Sequence, residues 1–200
     1  MRIAVIGTGQ VGGSVGRSAA NAGHAVVFGS RNPSEEVAAA VSPATVGTVR
    51  EAVDGADVVV VAVPGRAVEA FAHEFGDLLA GKLVVDAANR MGGPGPLHSA
   101  ALFAEHAPRA RYARAFNTLG WENFAEPSIG GVQADLFFSS ADADRREVEA
   151  LVLGVGLRPV FVGPDQHDLL DGVLRLWFAL AVGQDRGRHL AFKVLDESGP

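Results

Sequence analysis

Hydrophobic positions in the first half of the chain fall into short unbroken runs, and amphipathic segments separate them. Four of these runs are almost continuously apolar, which is typical of strands buried on both faces of a parallel sheet. They are Ile3–Ile6, Ala25–Phe28, Val58–Val63 and Leu83–Asp86. Segments such as Arg66–Ala80 have helical spacing instead. This alternation predicts an α/β fold with a Rossmann-type, doubly wound, mainly parallel sheet.

The second half continues the alternation, with strands predicted over Tyr112–Phe116, Asp135–Ser140 and Arg158–Val162 and a helix over Asp142–Gly154. Leu169–Val182 is predicted as a long helix that is too apolar for a solvated surface. We expect this helix to pack on a partner subunit or to close a substrate pocket.

The domain organisation follows from these elements. We predict a dinucleotide-binding Rossmann domain over residues 1–164 and a C-terminal helical extension over residues 165–200. The extension is not expected to be an independent domain, because its apolar face needs the rest of the chain or a partner to cover it.

A glycine-rich turn follows the first predicted strand directly and precedes a helix. Its sequence, Gly7-Thr8-Gly9-Gln10-Val11-Gly12, has the spacing G-x-G-x-x-G. In this context the first glycine permits a tight turn, the second admits a pyrophosphate close to the backbone, and the third allows close helix–strand packing. We therefore predict that all six residues bind a dinucleotide.

The second predicted strand ends in Ser30 and Arg31, with no acidic residue at that point. An acid at this position binds the ribose hydroxyls of NAD, whereas an arginine accommodates the 2′-phosphate of NADP. A guanidinium can form paired bonds to phosphate, and the serine hydroxyl can donate another. The sequence predicts NADP(H) as the cofactor.

Loops after the carboxyl ends of parallel strands line the ligand crevice of such folds. Val63 ends one predicted strand and Pro64 follows it, whereas Ala88 and Asn89 follow the next strand, so we expect these four residues to hold the nicotinamide. We expect the second substrate to meet three residues that follow a later strand, whose side chains offer an amide, a hydroxyl and a stacking plane: Asn117, Thr118 and Trp121. Met91–Pro96 is predicted to be a flexible loop and a candidate lid.

Composition narrows the classes of partner. The net charge is −6 without a basic block, so neither nucleic acid nor a membrane surface is expected. There is no cysteine, the amino terminus does not read as a signal peptide, and the apolar runs are too short to span a bilayer. We expect a cytoplasmic protein that acts on a small molecule.

The histidines and Ser14 are further candidates for a metal-binding or catalytic role. The six histidines have no metal-ligand spacing, so no metal site is predicted. His98 and His167 are expected on loops near the crevice and could handle protons, but no residue is assigned as an acid or base. Ser14 lies in a G-x-S-x-G match, yet it falls inside the first helix, where a hydrolase nucleophile would not be placed.

The chain as a whole resembles the F420-dependent NADP oxidoreductase family. The resemblance rests on the glycine turn, on Gly29-Ser30-Arg31 and on later stretches that look like the family's: Ala62-Val63-Pro64, Asp86–Asn89, Arg114–Gly120, Gly156–Val160, Val162–Pro164 and Leu174–Leu180. It implies hydride transfer between NADPH and the deazaflavin coenzyme F420, with Ser30 and Arg31 at the 2′-phosphate. Glu35 and Glu36 stand where some members carry a lysine.

Two alternatives remain open beside that function. The chain could reduce another small acceptor with NADPH, such as a flavin, an imine or a carbonyl compound. It could also be a non-catalytic module that senses NADP(H) and reports to a partner. In each case the apolar C-terminal helix leads us to expect a homodimer.

Overall fold

The apolar runs form a continuous sheet in the computed structural model, which describes residues 1–197. Six strands are parallel to one another: β1 (Arg2–Ile6), β2 (Ala25–Ser30), β3 (Thr45–Thr48), β4 (Val58–Val61), β5 (Leu83–Asp86) and β6 (Arg111–Arg114). Two further strands, β9 (Asp135–Ser140) and β10 (Arg158–Phe161), complete this sheet. A separate hairpin consists of β7 (Ser128–Ile129) and β8 (Val132–Gln133).

Helices connect the strands and cover both faces of the sheet. They are α1 (Gln10–Asn21), α2 (Glu35–Val41), α3 (Val49–Asp54), α4 (Val68–Phe75), α5 (Ala100–His106), α6 (Glu122–Ala125), α7 (Arg145–Gly154) and α8 (His167–Phe178). Short 3₁₀ turns lie at Gly65–Ala67, Gly76–Leu79 and Asp142–Asp144, and a π-helical turn, Ala179–Gly183, extends α8. Among residues 1–197, no helix combines the length and apolar character that crossing a membrane requires.

The strand order confirms the doubly wound prediction. It runs β10-β9-β6-β5-β4-β1-β2-β3, so the winding direction reverses between β1 and β4. In open sheets of this kind, ligands bind at the carboxyl ends of the strands beside such a reversal. β9 is antiparallel to β6, and β10 is parallel to β9. The apolar pattern did not predict this change of direction, since a buried strand has the same composition in either orientation.

Two hydrophobic layers explain the unbroken valine run of β4. Val58 and Val60 belong to the hydrophobic cluster that includes residues of α1 and α7, whereas Val59 and Val61 belong to the cluster that includes residues of α3 and α4. All four side chains are fully buried. Because both faces are covered, every position of a central strand must be apolar.

Helix α1 approaches the sheet closely at Gly16. A Cβ atom at this position would overlap the buried ring of Phe28 on β2. The absence of a side chain therefore lets α1 lie against β2, and α1 carries the glycine turn at its amino end. Ser14 is a buried residue within α1, as the sequence predicted.

The chain after α8 returns to the sheet instead of forming a longer helical extension. The helical part ends at Gly183, and the following residues reach the buried carboxylate of Asp135 at the start of β9. That carboxylate accepts hydrogen bonds from Arg158 (2.6 Å), Lys193 (3.2 Å) and the Val194 amide (2.6 Å). Burial alone would raise the pKa of Asp135, but these hydrogen bonds outweigh it and lower the pKa. Residues 198–200 of the predicted extension lie outside the described part, and the domain boundary at residue 164 stays a prediction.

Candidate functional site

The glycine turn lies at the reversal point of the sheet, between β1 and β4. Gly7 has a φ of +114°, and a Cβ atom there would lie 2.5 Å from the carbonyl oxygen of Ala62. A Cβ atom at Gly12 would overlap the carbonyl oxygen of Gly7. Both positions therefore require glycine for the packing of the protein itself.

Gly9 differs from these two glycines. A Cβ atom at Gly9 would meet nothing within 4 Å, and Thr8, Gly9 and Gln10 are all exposed. Gly9 is the N-cap residue of the 12-residue helix α1, which has no side-chain cap and no acidic residue in its first turn. The open space and the uncapped helix end fit a phosphate group, whose oxygens can accept bonds from the free amides.

Ser30 and Arg31 lie at the carboxyl end of β2, on the same edge of the sheet. The Ser30 hydroxyl accepts a hydrogen bond from the Asn32 amide at 3.2 Å, which shapes the turn. Arg31 is exposed, and its guanidinium forms no ion pair or hydrogen bond with any residue in the described range. An unpaired guanidinium at this position remains available for a phosphate group.

The loops expected at the nicotinamide contact one another directly. A Cβ atom at Gly65 would overlap the carbonyl oxygen of Asn89 and come within 2.6 Å of the Cα of Arg90. The loop after β4 and the loop after β5 are thus adjacent at the crevice. Val63 and Asn89 are half-buried, Pro64 is exposed and Ala88 is buried.

Beneath these loops lies a buried ion array that consists of Asp86, Arg114 and Asp171. Asp86 ends β5, Arg114 ends β6 in register with it, and Asp171 lies on α8. The Arg114 side chain is fully enclosed and lies 3.2 Å from the Asp86 carboxylate and 2.8 Å from that of Asp171. Each carboxylate is also bonded by main-chain amides, so the buried charges are compensated on several sides.

The array holds both ends of the loop that spans residues 90–96. We call Ala88–Asn89 the first stem and Leu97–Ser99 the second stem. Arg114 donates to the Ala88 carbonyl (2.6 Å) and to the Asn89 Oδ1 atom (2.9 Å) in the first stem. In the second stem, the amides of Leu97 and His98 donate to Asp171, and that of Ser99 donates to Asp86.

Asn117 and Thr118 are not open to the crevice in this structure. Both side chains are buried, and the Asn117 amide donates to the Ala88 carbonyl at 3.3 Å and to Asn89 Oδ1 at 3.4 Å. The preceding residue, Phe116, has a φ of +64°, which is rare for an aromatic residue and costs about 1–3 kcal/mol. This turn brings Asn117 to the first stem. Trp121 is half-buried at the start of α6, which is bonded to α1 through Ser18.

His98 and His167 lie together beside Tyr112 on the α8 side. Their rings are 5.3 Å apart, and His167 meets Tyr112 edge-on at 5.0 Å. Tyr112 donates to Asp86 at 2.8 Å, and burial, aided by the Asp86 charge, raises the pKa of Tyr112 well above its ordinary value. The sequence expected both histidines on loops, but His167 is the first residue of α8.

His98, Asp168 and Asp171 bring potential metal ligands within 4.8 Å of one another. The Asp171 carboxylate is already occupied by Arg114 and by two main-chain amides. A cation there would face the buried guanidinium 2.8 Å from that carboxylate, so we assign no metal to this cluster.

A comparison with protein-family models matches residues 2–90 to the family described as "NADP oxidoreductase coenzyme F420-dependent". The matched range begins at β1 and ends just after the first stem. It includes the glycine turn, Arg31 and the loops after β4 and β5. Over this part, the chain is similar to the F420-dependent NADP oxidoreductase family.

Solved structures share the fold over almost the whole chain. A proposed F420-dependent NADP reductase from Arthrobacter sp. FB24 is 26% identical with a TM-score of 0.81, and the match covers 98% of this chain and 100% of that one. An imine reductase from Streptomyces aurantiacus is 16% identical with a TM-score of 0.68, covering 92% of this chain and 66% of that one. A reductive aminase from Aspergillus terreus, in complex with NADPH and ethyl levulinate, is 20% identical with a TM-score of 0.64, covering 91% of this chain and 62% of that one.

The match of residues 2–90 to this family model confirms the resemblance that the sequence indicated. The matched range stops before β6, so Arg114 and Asp171 lie beyond it. Sequence reasoning missed the array as a functional group. The available signals were an acid at the end of an apolar strand, an arginine between Ala113 and Ala115, and an acid between Leu170 and Leu174 on an apolar helix.

We expect the free energy of unfolding to fall as the pH decreases from about 7.5 to 5.5, partly because of His167. Burial lowers the pKa of His167, and the neighbouring His98 lowers it further, so the unfolded chain binds the proton more readily. Stability from this group is therefore present above its ordinary pKa of about 6.5 and is lost below it. Chemical denaturation across this range should show a shallower dependence for His167→Gln.

His106→Gln, a substitution on α5, is the control for the replacement of a histidine by glutamine outside this cluster. One proton contributes at most about 1.4 kcal/mol per pH unit, so the difference between the two variants is measurable. His24, whose pKa burial also lowers, leaves a residual slope in both. Equal slopes for His167→Gln and the wild type would contradict the assignment.

Proposed function

We propose that this protein is an NADP(H)-dependent oxidoreductase that transfers hydride between NADPH and coenzyme F420. The observation that carries the proposal is the pairing of an open glycine turn with an unpaired guanidinium at one edge of the sheet. The turn at Gly9 fits a pyrophosphate, and Arg31 fits a further phosphate one strand away.

The amino end of the site would hold the cofactor through main-chain groups. The amides of Gly9 to Gly12 begin α1 and would donate to the pyrophosphate, with the positive end of the helix dipole adding to the attraction. Ser30 and Arg31 would bind the 2′-phosphate. Thr8, Gln10 and Val11 would border the same groups.

The carboxyl end of the site would orient the nicotinamide. Val63, Pro64 and Asn89 would hold the ring, and the buried Ala88 would act through the first stem, to which it belongs. When bound, NADPH supplies the hydride, so the protein needs to hold two rings in contact and to exclude water. No acid or base is required of the protein if the acceptor takes its proton from solvent.

The residues expected at the second substrate receive different roles in this proposal. Of Asn117, Thr118 and Trp121, Trp121 alone is partly exposed to solvent, and its ring would stack on a planar acceptor. Asn117 and Thr118, being buried, would act through the first stem and not by direct contact. This division is compatible with a flat ring system such as a deazaflavin.

The choice of F420 rests on the family and on the Arthrobacter relative, whose names both include it. The imine reductase and the reductive aminase share the fold at lower identity, and they favour reduction of an imine as the second candidate. A sensing module that binds NADP(H) without turnover is the third.

The exposed face of α8 supports the expectation of a homodimer. Leu169, Val173 and Leu176 follow one stripe of the helix, and Leu169 and Leu176 are 51% and 52% exposed. Asp168 and Arg175 flank this stripe with opposite charges. An antiparallel pairing of two copies would bring Leu169 beside Leu176 and Asp168 near Arg175, as a self-complementary interface requires. We propose that a second copy covers this face.

Arg31→Ala should weaken NADPH binding by at least about tenfold, since a hydrogen bond to a charged group contributes about 1.5–3 kcal/mol. NADH lacks the 2′-phosphate, so its affinity should not change. Isothermal titration of both nucleotides measures this. Arg146→Ala removes an exposed guanidinium on α7 and should leave both affinities unaltered. Unchanged NADPH binding by Arg31→Ala would count against the assigned phosphate site.

With NADPH and F420, the protein should bleach the absorbance of the oxidised deazaflavin. Gly9→Val is the matched inactive variant, because its side chain would enter open space and leave the fold intact while filling the phosphate site. Parallel assays with a flavin and with a cyclic imine separate the second candidate. NADPH binding without consumption of any acceptor would favour the sensing module.

Leu176→Lys should convert a dimer into a monomer by placing a charge in the centre of the α8 stripe. Light scattering coupled to size exclusion measures the mass in solution. Leu153→Lys, at a residue of α7 that is 57% exposed, should leave the mass unchanged. A wild-type protein that stays monomeric at high concentration would rule out the proposed pairing.

A further inference from the structure

One guanidinium reaches both stems of the loop over residues 90–96. Arg114 bonds the first stem directly, through the Ala88 carbonyl and Asn89 Oδ1. It reaches the second stem through the two carboxylates, which accept the amides of Leu97, His98 and Ser99. The Arg90 amide donates to the Leu97 carbonyl at 2.9 Å and joins the two stems. The positions of both stems therefore depend on Arg114.

The orientation of the Asn89 amide follows from these bonds. Its Oδ1 atom accepts from Arg114 at 2.9 Å and from Asn117 at 3.4 Å, so the oxygen points into the protein. The NH₂ group of Asn89 forms no hydrogen bond to any residue among 1–197. Asn89 is half-buried, whereas Arg114 is completely enclosed. Only Asn89 can meet a ligand, and Arg114 decides which of its amide atoms is presented.

We propose that Arg114 is a positioning residue for the nicotinamide end of the site, acting by holding Asn89 with its NH₂ group toward the crevice. This inference rests on the proposed function, since it assumes that NADPH binds there. The Asn89 NH₂ would donate to an acceptor atom on the nicotinamide half of the cofactor, such as its carboxamide oxygen. Arg114 itself would touch neither cofactor nor substrate.

Arginine suits this role for a geometric reason. The two terminal nitrogens of its planar fork serve four acceptors: Asp86, the Ala88 carbonyl, Asn89 and Asp171. A lysine ammonium is a point charge with three donors on a flexible stem and cannot match this fixed arrangement. The fork thus sets the distance between the first stem and α8 as well as the direction of the Asn89 amide.

If Arg114 only stabilised the fold, removing any ion pair to a buried carboxylate should have the same effect on the stems and on the bound cofactor. Arg158 provides the control for this alternative. Arg158 binds the buried carboxylate of Asp135 through two hydrogen bonds of 2.6 Å on β10, at the far end of the sheet order. Arg158→Met removes an ion pair to a buried carboxylate that contacts neither stem. Arg114→Met and Arg114→Lys remove or reduce the array itself.

The first measurement is hydrogen–deuterium exchange of the protein without cofactor. Amides of residues 88–90 and 97–99 should exchange at least about tenfold faster in both Arg114 variants, because charge-assisted hydrogen bonds contribute to their protection. Arg158→Met should leave these amides at the wild-type rate. This arm does not depend on NADPH, so it tests the array even if the proposed cofactor fails to bind.

The second measurement is the nicotinamide fluorescence of bound NADPH, which reports the surroundings of the ring. Both Arg114 variants should bind NADPH within about threefold of the wild-type affinity, since the phosphate contacts are elsewhere, yet their emission should return toward that of free NADPH. Asn89→Asp should give the same loss of emission with protected stems, because the carboxylate keeps the contact with Arg114 but lacks the NH₂ donor. Arg158→Met should match the wild type.

Three outcomes would overturn the inference: wild-type emission in a folded Arg114→Met protein, an equal loss in Arg158→Met, or an unchanged emission in Asn89→Asp. If Arg114→Met does not fold, Arg114→Lys and Asn89→Asp decide the question by the same criteria. Absence of NADPH binding by the wild type would instead refute the proposed function, and the exchange result would still support or reject the array.

Discussion

The fully enclosed guanidinium of Arg114, at the carboxyl end of β6, connects parts of the chain that are distant in sequence. Arg114 joins the end of β5, the first stem and α8 through Asp86, Asn89 and Asp171. A buried charge is tolerated only when its partners surround it, and removing one partner from such a group costs about 3–5 kcal/mol. The two loop stems and α8 must therefore keep their positions if the charges of Asp86, Arg114 and Asp171 are to remain compensated.

The glycine turn depends on a different constraint, which is space. Gly7, Gly12 and Gly16 occupy positions where a Cβ atom would collide with Ala62, Gly7 and Phe28, so their small size serves the packing of α1 on the sheet. Gly9 has open space around it and serves no packing. One motif thus contains glycines of two kinds, and only the second kind indicates a ligand. The proposed cofactor site follows from Gly9 together with the free Arg31.

Charge placement separates three classes of arginine in this chain. Arg114 is enclosed and paired, Arg158 is paired to a buried carboxylate, and Arg31 is exposed without a partner in the described range. The sequence identified Arg31 because its position after the second strand has a known meaning in dinucleotide folds. It did not identify Arg114 or Arg158, since an arginine in a strand is usually interpreted as a surface residue until its partners from distant elements are known.

The sequence by itself determined the N-terminal half of the architecture. Strands buried on both faces must be apolar throughout, and this local rule revealed β1, β2, β4 and β5 with their following loops. Tertiary structure alone decided the reversed direction of β9 and β10, the burial of Asn117 and Thr118, and the union of Asp86, Arg114 and Asp171. Direction, burial and ion pairing depend on which segments meet in space. The ion pair between Arg114 and Asp171 joins residues 57 positions apart, which is beyond the reach of any local pattern.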